Sequence, residues 1–390
     1  MTDRAATAQA AAAGLRRFAS APDASGAATA LIGFDGFVDS IISVVDKRHS
    51  PDAFDPMPTI ADFGARVSAK AGQSSNYELF VKQEKLGGNG PIMANALAAG
   101  GVAVSYVGCL GRPAVQPVFE DFTKAAEVYS VSEPGYTDAL EFDDGKLMLG
   151  KHGAISGLDW ATVEAAVGAD KFAELVMRSR LIGMTNWTML NRIESVYRQI
   201  DAILAGSVAG GGPRKIVFVD LADPAKRSAE DIRGVFTLLS QMQANADVVL
   251  GLNLSESTQA LEVLGLAVPS DPEDAIEATA AAIREAMAIH GCVVHPRKGA
   301  AAAMINSGGG GASGGVTTAH FRGPFVAKPK LSTGAGDNFN AGFCLGMLAG
   351  LPLVECLCTG VGTSGFYVRN AHSPSIDELI AFCEDLPAPE

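Results

Sequence analysis

The sequence predicts an α/β protein built around a largely parallel β-sheet. Short apolar runs alternate with segments long enough to form helices, and this alternation is typical of βαβ units. In the second half of the chain the strand candidates lie at residues 181–184, 215–219, 247–250 and 292–295. Carboxylates and glycine-rich turns follow several apolar runs along the chain. That placement is typical of a ligand site, because open α/β sheets bind ligands at the carboxyl ends of their strands.

Composition limits the partners that we expect. The chain has 390 residues, 48% of them apolar, so it can bury a large core. Its 30 basic and 43 acidic residues give a formal net charge of -13. Such an acidic balance disfavours a nucleic-acid surface and an anionic membrane. We therefore expect a small-molecule partner, with no nucleic acid and no membrane.

The cysteines and the N-terminus predict a cytoplasmic protein. Six cysteines are scattered through apolar runs without zinc-ligand spacing, which is typical of buried thiols in a reducing compartment. Residues 1–30 are rich in alanine and too polar for a secretory signal. We interpret them as an N-terminal helical extension, followed by a single domain at residues 31–390.

The first core strand is predicted to deliver two carboxylates to the ligand edge of the sheet. The apolar run at residues 28–34 is followed directly by Asp35 and Asp39. Both side chains would then lie at the carboxyl end of that strand, where they could bind a substrate. The alternative is that both residues serve only in turns or as helix caps.

The next glycine-rich segment, residues 87–91, is predicted to open a helix with Pro91 at its first position. Such an entry would let a ligand contact the backbone, and a plain tight turn is the alternative. Prolines at positions 51, 56 and 58 predict a loop there, and residues 140–149 predict a hairpin that turns at Asp144 and Gly145.

Asn253 and Glu256 follow the strand predicted at residues 247–250. An amide and a carboxylate at a ligand edge could hold the water shell of Mg²⁺, which prefers few protein ligands. The alternative is a capping box that only begins a helix. Farther on, the glycine-rich stretch at residues 307–315 is predicted to be a loop between strands at 301–305 and 316–321.

Residues 330–343 contain the strongest local pattern in the chain. Gly334, Ala335 and Gly336 carry almost no side chain, and an apolar helical run follows Asp337. Backbone amides at a helix N-terminus form an anion site, so a phosphate fits this loop. A carboxylate in the first turn could take a proton from a hydroxyl that attacks phosphorus. The alternative is an ordinary glycine-rich turn in which Asp337 only favours the start of the helix.

Taken together, these segments resemble the ribokinase-like, or PfkB-type, carbohydrate kinase family over about residues 31–386. The sequence from Ser332 to Asp337 is similar to the C-terminal signature of the family. The Gly-Gly-Asn-Gly segment at residues 87–90 is similar to the N-terminal signature, and Asn253 with Glu256 matches the Asn-x-x-Glu element. The order and spacing of all three elements agree with the family.

The resemblance implies a three-layer αβα sandwich with a mainly parallel central sheet and a small β lid. The lid strands would come from about residues 36–48, 76–86 and 137–151. In this family the lid can also pair two copies into a homodimer.

The resemblance also implies roles for individual residues. Asp337 would be the catalytic base, and the amides of Gly334, Ala335 and Gly336 would form the anion hole. The acceptor would be held by Asp39, which matches the sugar-binding carboxylate, together with Asp35, Gly87, Gly88 and Asn89. The nucleotide would contact Asn253, Glu256, Lys298, Gly299, Thr333 and Gly334. Glu256 and Asn253 would also hold Mg²⁺ through water.

Two positions depart from the family pattern. Leu331 stands where potassium-activated members have an aspartate that helps to coordinate the monovalent cation. Ile92 stands where the first signature often has an asparagine that contacts the substrate. Neither change removes the kinase chemistry, but both bear on cation activation and on the identity of the sugar.

The sequence therefore predicts an ATP-dependent kinase that phosphorylates a hydroxyl of a small sugar, with Mg²⁺ as cofactor. One alternative is a nucleoside kinase of the same family, since the loss of a polar contact at Ile92 could let the pocket accept a base. The other is a non-catalytic sugar-binding regulatory protein that kept the fold.

Overall fold

The computed structural model describes residues 3–21, 28–306 and 315–390. Parts of the predicted N-terminal extension, at residues 1–2 and 22–27, lie outside the described residues. So does nearly all of the loop predicted at residues 307–315.

The strands of the described chain are β1 (Thr29–Phe34), β2 (Phe37–Ser50), β3 (Ala53–Pro56), β4 (Leu79–Gly87), β5 (Ala103–Gly108), β6 (Glu127–Ser130), β7 (Gly135–Phe142), β8 (Gly145–Lys151), β9 (Leu181–Thr185), β10 (Ile216–Asp220), β11 (Asp247–Leu252), β12 (Gly291–Val294), β13 (Gly299–Ile305) and β14 (Val316–Arg322).

The helices are α1 (Arg4–Ala19), α2 (Ile60–Ser68), α3 (Asn89–Ala99), α4 (Glu120–Ala125), α5 (Trp160–Val167), α6 (Ala169–Arg178), α7 (Glu194–Ala209), α8 (Ala229–Met242), α9 (Leu254–Leu264), α10 (Ile276–Met287), α11 (Ala335–Leu348), α12 (Leu353–Asn370) and α13 (Ile376–Glu384).

The central sheet of the described chain has nine strands in the order β14-β13-β12-β11-β10-β9-β1-β5-β6. Every pair from β12 to β6 is parallel, and β13 and β14 add an antiparallel edge. Parallel strands covered on both faces are apolar throughout, which is why they read as short continuous apolar runs in the sequence. The predicted α/β class with a mainly parallel sheet is confirmed.

Successive residues of the strands point into two different apolar cores. In β10, Val217 and Val219 pack into the core that contains Trp187 and Phe236, on the side of α5 to α10. Phe218 lies between them in sequence but packs into the opposite core, beside Phe343 of α11. Successive side chains of a strand point to opposite faces of the sheet. Each face therefore packs against its own layer of helices, as a three-layer sandwich requires.

A second, smaller sheet forms the lid. Its strands run β3-β2-β7-β8, and β4 also pairs with β2. The loop predicted around the prolines at 51, 56 and 58 is wrong in part, because this segment contains β3. Pro56 ends that short strand, a place where the missing N–H group of proline costs little. The predicted hairpin at residues 140–149 is confirmed by the antiparallel pairing of β7 with β8.

The N-terminal helix α1 packs on the C-terminal part of the chain. Leu15 is fully buried, and the Arg4 guanidinium donates to the backbone carbonyls of Arg322, Leu386 and Pro387. The six cysteines are all unpaired and buried. Among the described helices, none has both the length and the apolar character that a membrane span needs.

Candidate active site

A cavity of about 480 Å³ opens at the carboxyl ends of the central strands, beside the N-terminus of α11. Parallel strands bring the residues that follow them to one edge, so distant parts of the sequence meet there. The polar side chains that line it belong to Asn89, Asp220, Asn253, Glu256, His295, Arg297, Ser332, Asp337 and Ser364.

The glycine-rich loop before α11 requires glycine at its first position. Gly334 has a φ of 89°, in the left-handed region that side chains rarely adopt. A Cβ atom there would lie 2.9 Å from the Tyr367 hydroxyl oxygen and 3.3 Å from the nearest Ile92 side-chain atoms. The N–H of Ala335 donates to the Ser332 carbonyl at 3.1 Å. The predicted anion hole therefore rests on the other amides of the loop, since this one is already engaged.

Asp337 lies in the first turn of α11 and is only 6% exposed. Its Oδ1 accepts a hydrogen bond from Asn89 Nδ2 at 2.8 Å. Burial raises the pKa of Asp337 well above its usual value, and the nearby negative charge of Asp220 raises it further, while the bond from Asn89 lowers it. A carboxylate with a raised pKa is a stronger base, which suits proton abstraction from a hydroxyl.

Asp35 is fully buried and positions the first glycine-rich turn. Its carboxylate accepts from the N–H groups of Asn89 at 2.9 Å and Gly90 at 2.8 Å, and from Asn186 Nδ2 at 2.6 Å. The oxygens of Asp35 already bind these protein groups and are buried, and its contact with the substrate stays a prediction. Asp35 positions the backbone of Asn89, which lines the cavity.

The turn that Asp35 holds begins α3 at Asn89, with Gly88 as its N-cap at a φ of 97°. Pro91 is consequently the third residue of the helix, and its predicted first position is wrong by two residues.

Asp39 lies in β2 of the lid and is 6% exposed. Burial raises the pKa of its carboxyl group, whereas the hydrogen bond from Thr137 and the charge of Lys85 lower it. A Cβ atom on Gly87 would stand 2.5 Å from the Asp39 carboxyl carbon, so glycine makes room for this side chain. Burial raises the pKa of the Tyr367 hydroxyl, and the negative charges of Asp337 and Asp39 raise it further.

Asn253 and Glu256 form a complete capping box at the start of α9, as the alternative interpretation predicts. Asn253 Oδ1 accepts from the N–H of Glu256 at 3.0 Å, and Glu256 Oε2 accepts from the N–H of Asn253 at 2.8 Å. Glu256 Oε1 accepts from the N–H of Asp223 at 2.9 Å. Both residues also line the cavity, so the cap does not exclude a role at the site.

The side-chain oxygens of Glu256 and Asn253 are suited to a Mg²⁺ ion that is bound largely through water molecules. In the part of the chain that the structure describes, no group of three or more His, Cys, Asp or Glu residues could hold a metal ion. Mg²⁺ keeps several waters and often takes one or two carboxylates together with substrate phosphates, so a closed protein cage is not needed. Glu256 and Asn253 at the cavity wall are the predicted residues for that water shell.

Two of the residues predicted to contact the nucleotide, Lys298 and Thr333, are not part of the described cavity wall. The Lys298 ammonium group pairs with Glu273 at 3.1 Å, and neither Lys298 nor Thr333 lies among the residues that line the cavity in the described ranges. Gly299 and Arg297 do line it, and the contact of Lys298 with the nucleotide stays a prediction. The Thr333 carbonyl accepts from the Tyr367 hydroxyl at 2.8 Å.

Asp220 and His295 are among the residues of this cavity wall that sequence reasoning missed. Asp220 is the last residue of β10, and it accepts from Asn340 Nδ2 at 2.6 Å and from the N–H of Ala222 at 2.9 Å. That position at the carboxyl end of a strand was a usable signal. His295 is stacked on Phe339 at 4.5 Å between ring centroids, and burial lowers its pKa to about 4. Nothing in the local sequence pointed to His295.

Comparison with known proteins agrees with this geometry. The family model described as prokaryotic ketohexokinase matches residues 3–386. A ketohexokinase of Haloferax volcanii is 32% identical over 363 residues, which cover 90% of this chain and 90% of the relative.

Solved structures share the fold at low sequence identity. Arabidopsis thaliana ribokinase, complexed with ribose and ATP, has a TM-score of 0.60 at 16% identity and covers 92% of this chain and 99% of its own. Sinorhizobium meliloti adenosine kinase has a TM-score of 0.57, also at 16% identity, over 92% of this chain and 99% of its own. The resemblance predicted from the signatures is confirmed. The chain belongs to the prokaryotic ketohexokinase family, within the ribokinase-like fold, and is an ATP-dependent sugar phosphotransferase.

Proposed function

We propose that this enzyme transfers the γ-phosphate of ATP to a primary hydroxyl of a neutral ketohexose, with Asp337 as the general base. The observation that carries the proposal is the buried Asp337 carboxylate, which stands at the N-terminus of α11 in the cavity wall. Asn89 donates to this carboxylate at 2.8 Å and lies two residues after β4, the strand that pairs with the strand of Asp39. The ketohexokinase of Haloferax volcanii supports a ketohexose as the acceptor.

In the proposed reaction, Asp337 removes the proton of the attacking hydroxyl. A bond forms between the sugar oxygen and the γ-phosphorus, and the bond from that phosphorus to the bridging oxygen of ADP breaks. The proton stays on Asp337 until it is released to solvent. Amides of the loop at Gly334 and Gly336 would stabilise the charge on the transferred phosphoryl group.

The nucleotide would occupy the cavity beside Asn253, Glu256, Arg297 and Gly299. Mg²⁺ bound with the phosphates would offset their negative charge, with its water shell held by Glu256 and Asn253. In this arrangement the sugar would occupy the space between Asp337 and the lid. Asp39, Gly87, Gly88 and Asn89 would surround it there.

The nucleoside kinase alternative draws its support from Ile92. The Ile92 side chain packs against the loop, since a Cβ on Gly334 would meet it at 3.3 Å. Because this apolar side chain already contacts the loop, it gives no reason to expect space for the base of a nucleoside. The retained carboxylates Asp337 and Glu256 favour an active enzyme over a silent sugar-binding protein.

Formation of ADP with different acceptors tests the proposal. The purified chain with Mg²⁺-ATP is supplied with D-fructose, D-glucose, D-ribose or adenosine at matched concentrations. We expect kcat/KM for D-fructose to exceed that for adenosine by at least about tenfold. A preference for adenosine would favour the nucleoside kinase, and sugar binding without any ADP formation would favour the non-catalytic alternative.

We further propose that the lid pairs two copies into a homodimer. Its strands β4 and β8 expose five large apolar side chains by 42–50%, namely Leu79, Phe80, Val81, Met148 and Leu149. Apolar surface of this kind is typical of an interface. Sedimentation of the wild type should give a dimer that Val81→Glu dissociates, and a monomeric wild type would contradict this.

A cytoplasmic location remains a prediction supported by the six unpaired, buried cysteines.

A further inference from the structure

The lid places a lysine directly opposite the carboxylate predicted to bind the sugar. In the antiparallel pairing of β2 with β4, Asp39 faces Lys85, and in the pairing of β2 with β7 it faces Thr137. Residues paired directly across strands share one face of a sheet. Lys85, Asp39 and Thr137 therefore form one row of side chains on the face of the lid that carries Asp39.

Among the described residues, Lys85 forms no ion pair within 4.0 Å, whereas three other lysines of the lid do. Lys82 and Lys146 both pair with Glu141, and Lys151 pairs with Asp138. Among the described residues, no hydrogen bond or ion pair within 4.0 Å involves the Lys85 ammonium group, although Lys85 is half-buried. Solvent still reaches this half-exposed ammonium group, so an oxygen of a ligand could take the place of bound water.

From this row of side chains, β4 continues to the turn that contacts Asp337, the predicted base. Gly87 follows Lys85 by two residues on the same face, and its missing side chain leaves the Asp39 carboxylate room. The strand ends there and enters the turn of Asn89, whose amide donates to Asp337 at 2.8 Å. A sugar with its attacking hydroxyl near Asp337 could therefore present its other oxygens to Asp39 and Lys85.

The charges and hydrogen-bonding groups of Asp39 and Lys85 define the class of ligand that they can bind. Asp39 accepts hydrogen bonds and Lys85 donates them, and together their charges cancel. This pair matches a neutral molecule in which a hydroxyl adjoins an oxygen that accepts hydrogen bonds, such as a ring or carbonyl oxygen. An anionic acceptor would meet the Asp39 carboxylate, and the apolar face of a base would leave both charged groups unpaired.

We propose that Lys85 determines acceptor specificity, by donating a hydrogen bond to an oxygen of a neutral sugar while Asp39 accepts one from a neighbouring hydroxyl. This inference deepens the proposed function and rests on it for the orientation of the sugar. Its test is designed so that the two can fail separately.

The test compares Lys85→Met and Lys85→Arg with the wild type, and uses Lys82→Met as a matched control in the same strand. Titration calorimetry without nucleotide measures binding of D-fructose, D-gluconate and adenosine, and steady-state assays measure KM and kcat. We expect Lys85→Met to raise Kd and KM for D-fructose by about tenfold to a hundredfold, with kcat within about threefold of wild type. Lys85→Arg should recover part of the affinity, and Lys82→Met should bind like the wild type.

Unchanged D-fructose affinity in Lys85→Met would overturn the inference. So would a wild type that prefers D-gluconate or adenosine, or one that binds none of the three. If the wild type binds D-fructose through Lys85 but forms no ADP, the proposed function fails and the specificity role stands. Melting temperatures check the fold, and Lys85→Gln provides the same comparison if the methionine variant is unfolded.

Discussion

Asn89 donates from its side-chain amide to the carboxylate of Asp337 at 2.8 Å, and this bond joins two glycine-rich loops that lie 248 residues apart in sequence. Each loop is held by its own helix, α3 or α11, so the bond sets the position of one helix start against the other. The turn containing Asn89 is itself held by Asp35. The predicted base is therefore positioned by a chain of buried hydrogen bonds that starts at the end of β1.

Replacing Asp337 by asparagine should abolish most of the turnover. The amide keeps the volume of the side chain but cannot take a proton, so we expect kcat to fall by about 10²- to 10⁴-fold. Nucleotide affinity and melting temperature should stay close to wild type, because the variant removes a buried charge without creating a cavity. Rapid-quench or coupled ADP assays measure kcat. Turnover within about tenfold of wild type would assign the base elsewhere.

The pH dependence of kcat should reflect the burial of Asp337. Its pKa is raised by burial and by Asp220, and the base must be ionised, so activity falls with decreasing pH at a higher pH than for an exposed aspartate. Asp220→Asn removes a negative charge, which lowers the pKa of Asp337 and should move the acid limb to lower pH.

The matched control for this pH shift is Asp223→Asn, in the same turn, where the Asp223 side chain is 59% exposed. It should leave the acid limb in place. A limb that stays fixed or moves up in Asp220→Asn would show that Asp220 does not act on the base.

Gly334→Ala should damage both stability and activity. The φ of 89° disfavours alanine, which costs about 1 kcal/mol, and the new Cβ would lie 2.9 Å from the Tyr367 hydroxyl. Gly168→Ala is the control, because Gly168 has a φ of 86° but no atom within 4 Å of the added Cβ. Both variants should melt lower than wild type, and only Gly334→Ala should lose kcat. Equal kcat in both would mean that the loop tolerates the added methyl group.

Glu256→Gln should act through the metal requirement. Glutamine keeps one acceptor oxygen where Glu256 uses two, so we expect a higher Mg²⁺ concentration for half-maximal activity, a lower kcat and little change in the acceptor KM. Glu262→Gln, at an exposed position of the same helix, is the control. Identical Mg²⁺ titrations for Glu256→Gln and wild type would remove Glu256 from the metal site.

Potassium should not activate the enzyme. Leu331 replaces the aspartate of potassium-activated relatives, and its isobutyl group offers no oxygen ligand or countercharge for a cation. We expect equal kcat/KM in potassium and sodium chloride at matched ionic strength and fixed Mg²⁺-ATP. A severalfold rise specific to potassium would show a cation site built from other residues.

The sequence alone determined the fold class and the signature segments. Apolar runs such as the one at residues 215–219 predict buried parallel strands, and small residues at 334–336 predict a helix start, because both depend on local periodicity and backbone freedom. These features are properties of a few consecutive residues. They can therefore be predicted without knowing which segments become neighbours.

The tertiary structure decided the surroundings of residues that look alike in the sequence. Asp35 and Asp39 have nearly the same sequence context, yet Asp35 is enclosed by Asn89, Gly90 and Asn186, whereas Asp39 lies in the lid opposite Lys85. Burial and side-chain contacts depend on strand order and on register between segments far apart in the chain. No local pattern contains that information, and for this reason Lys85 and His295 could be identified only from the folded protein.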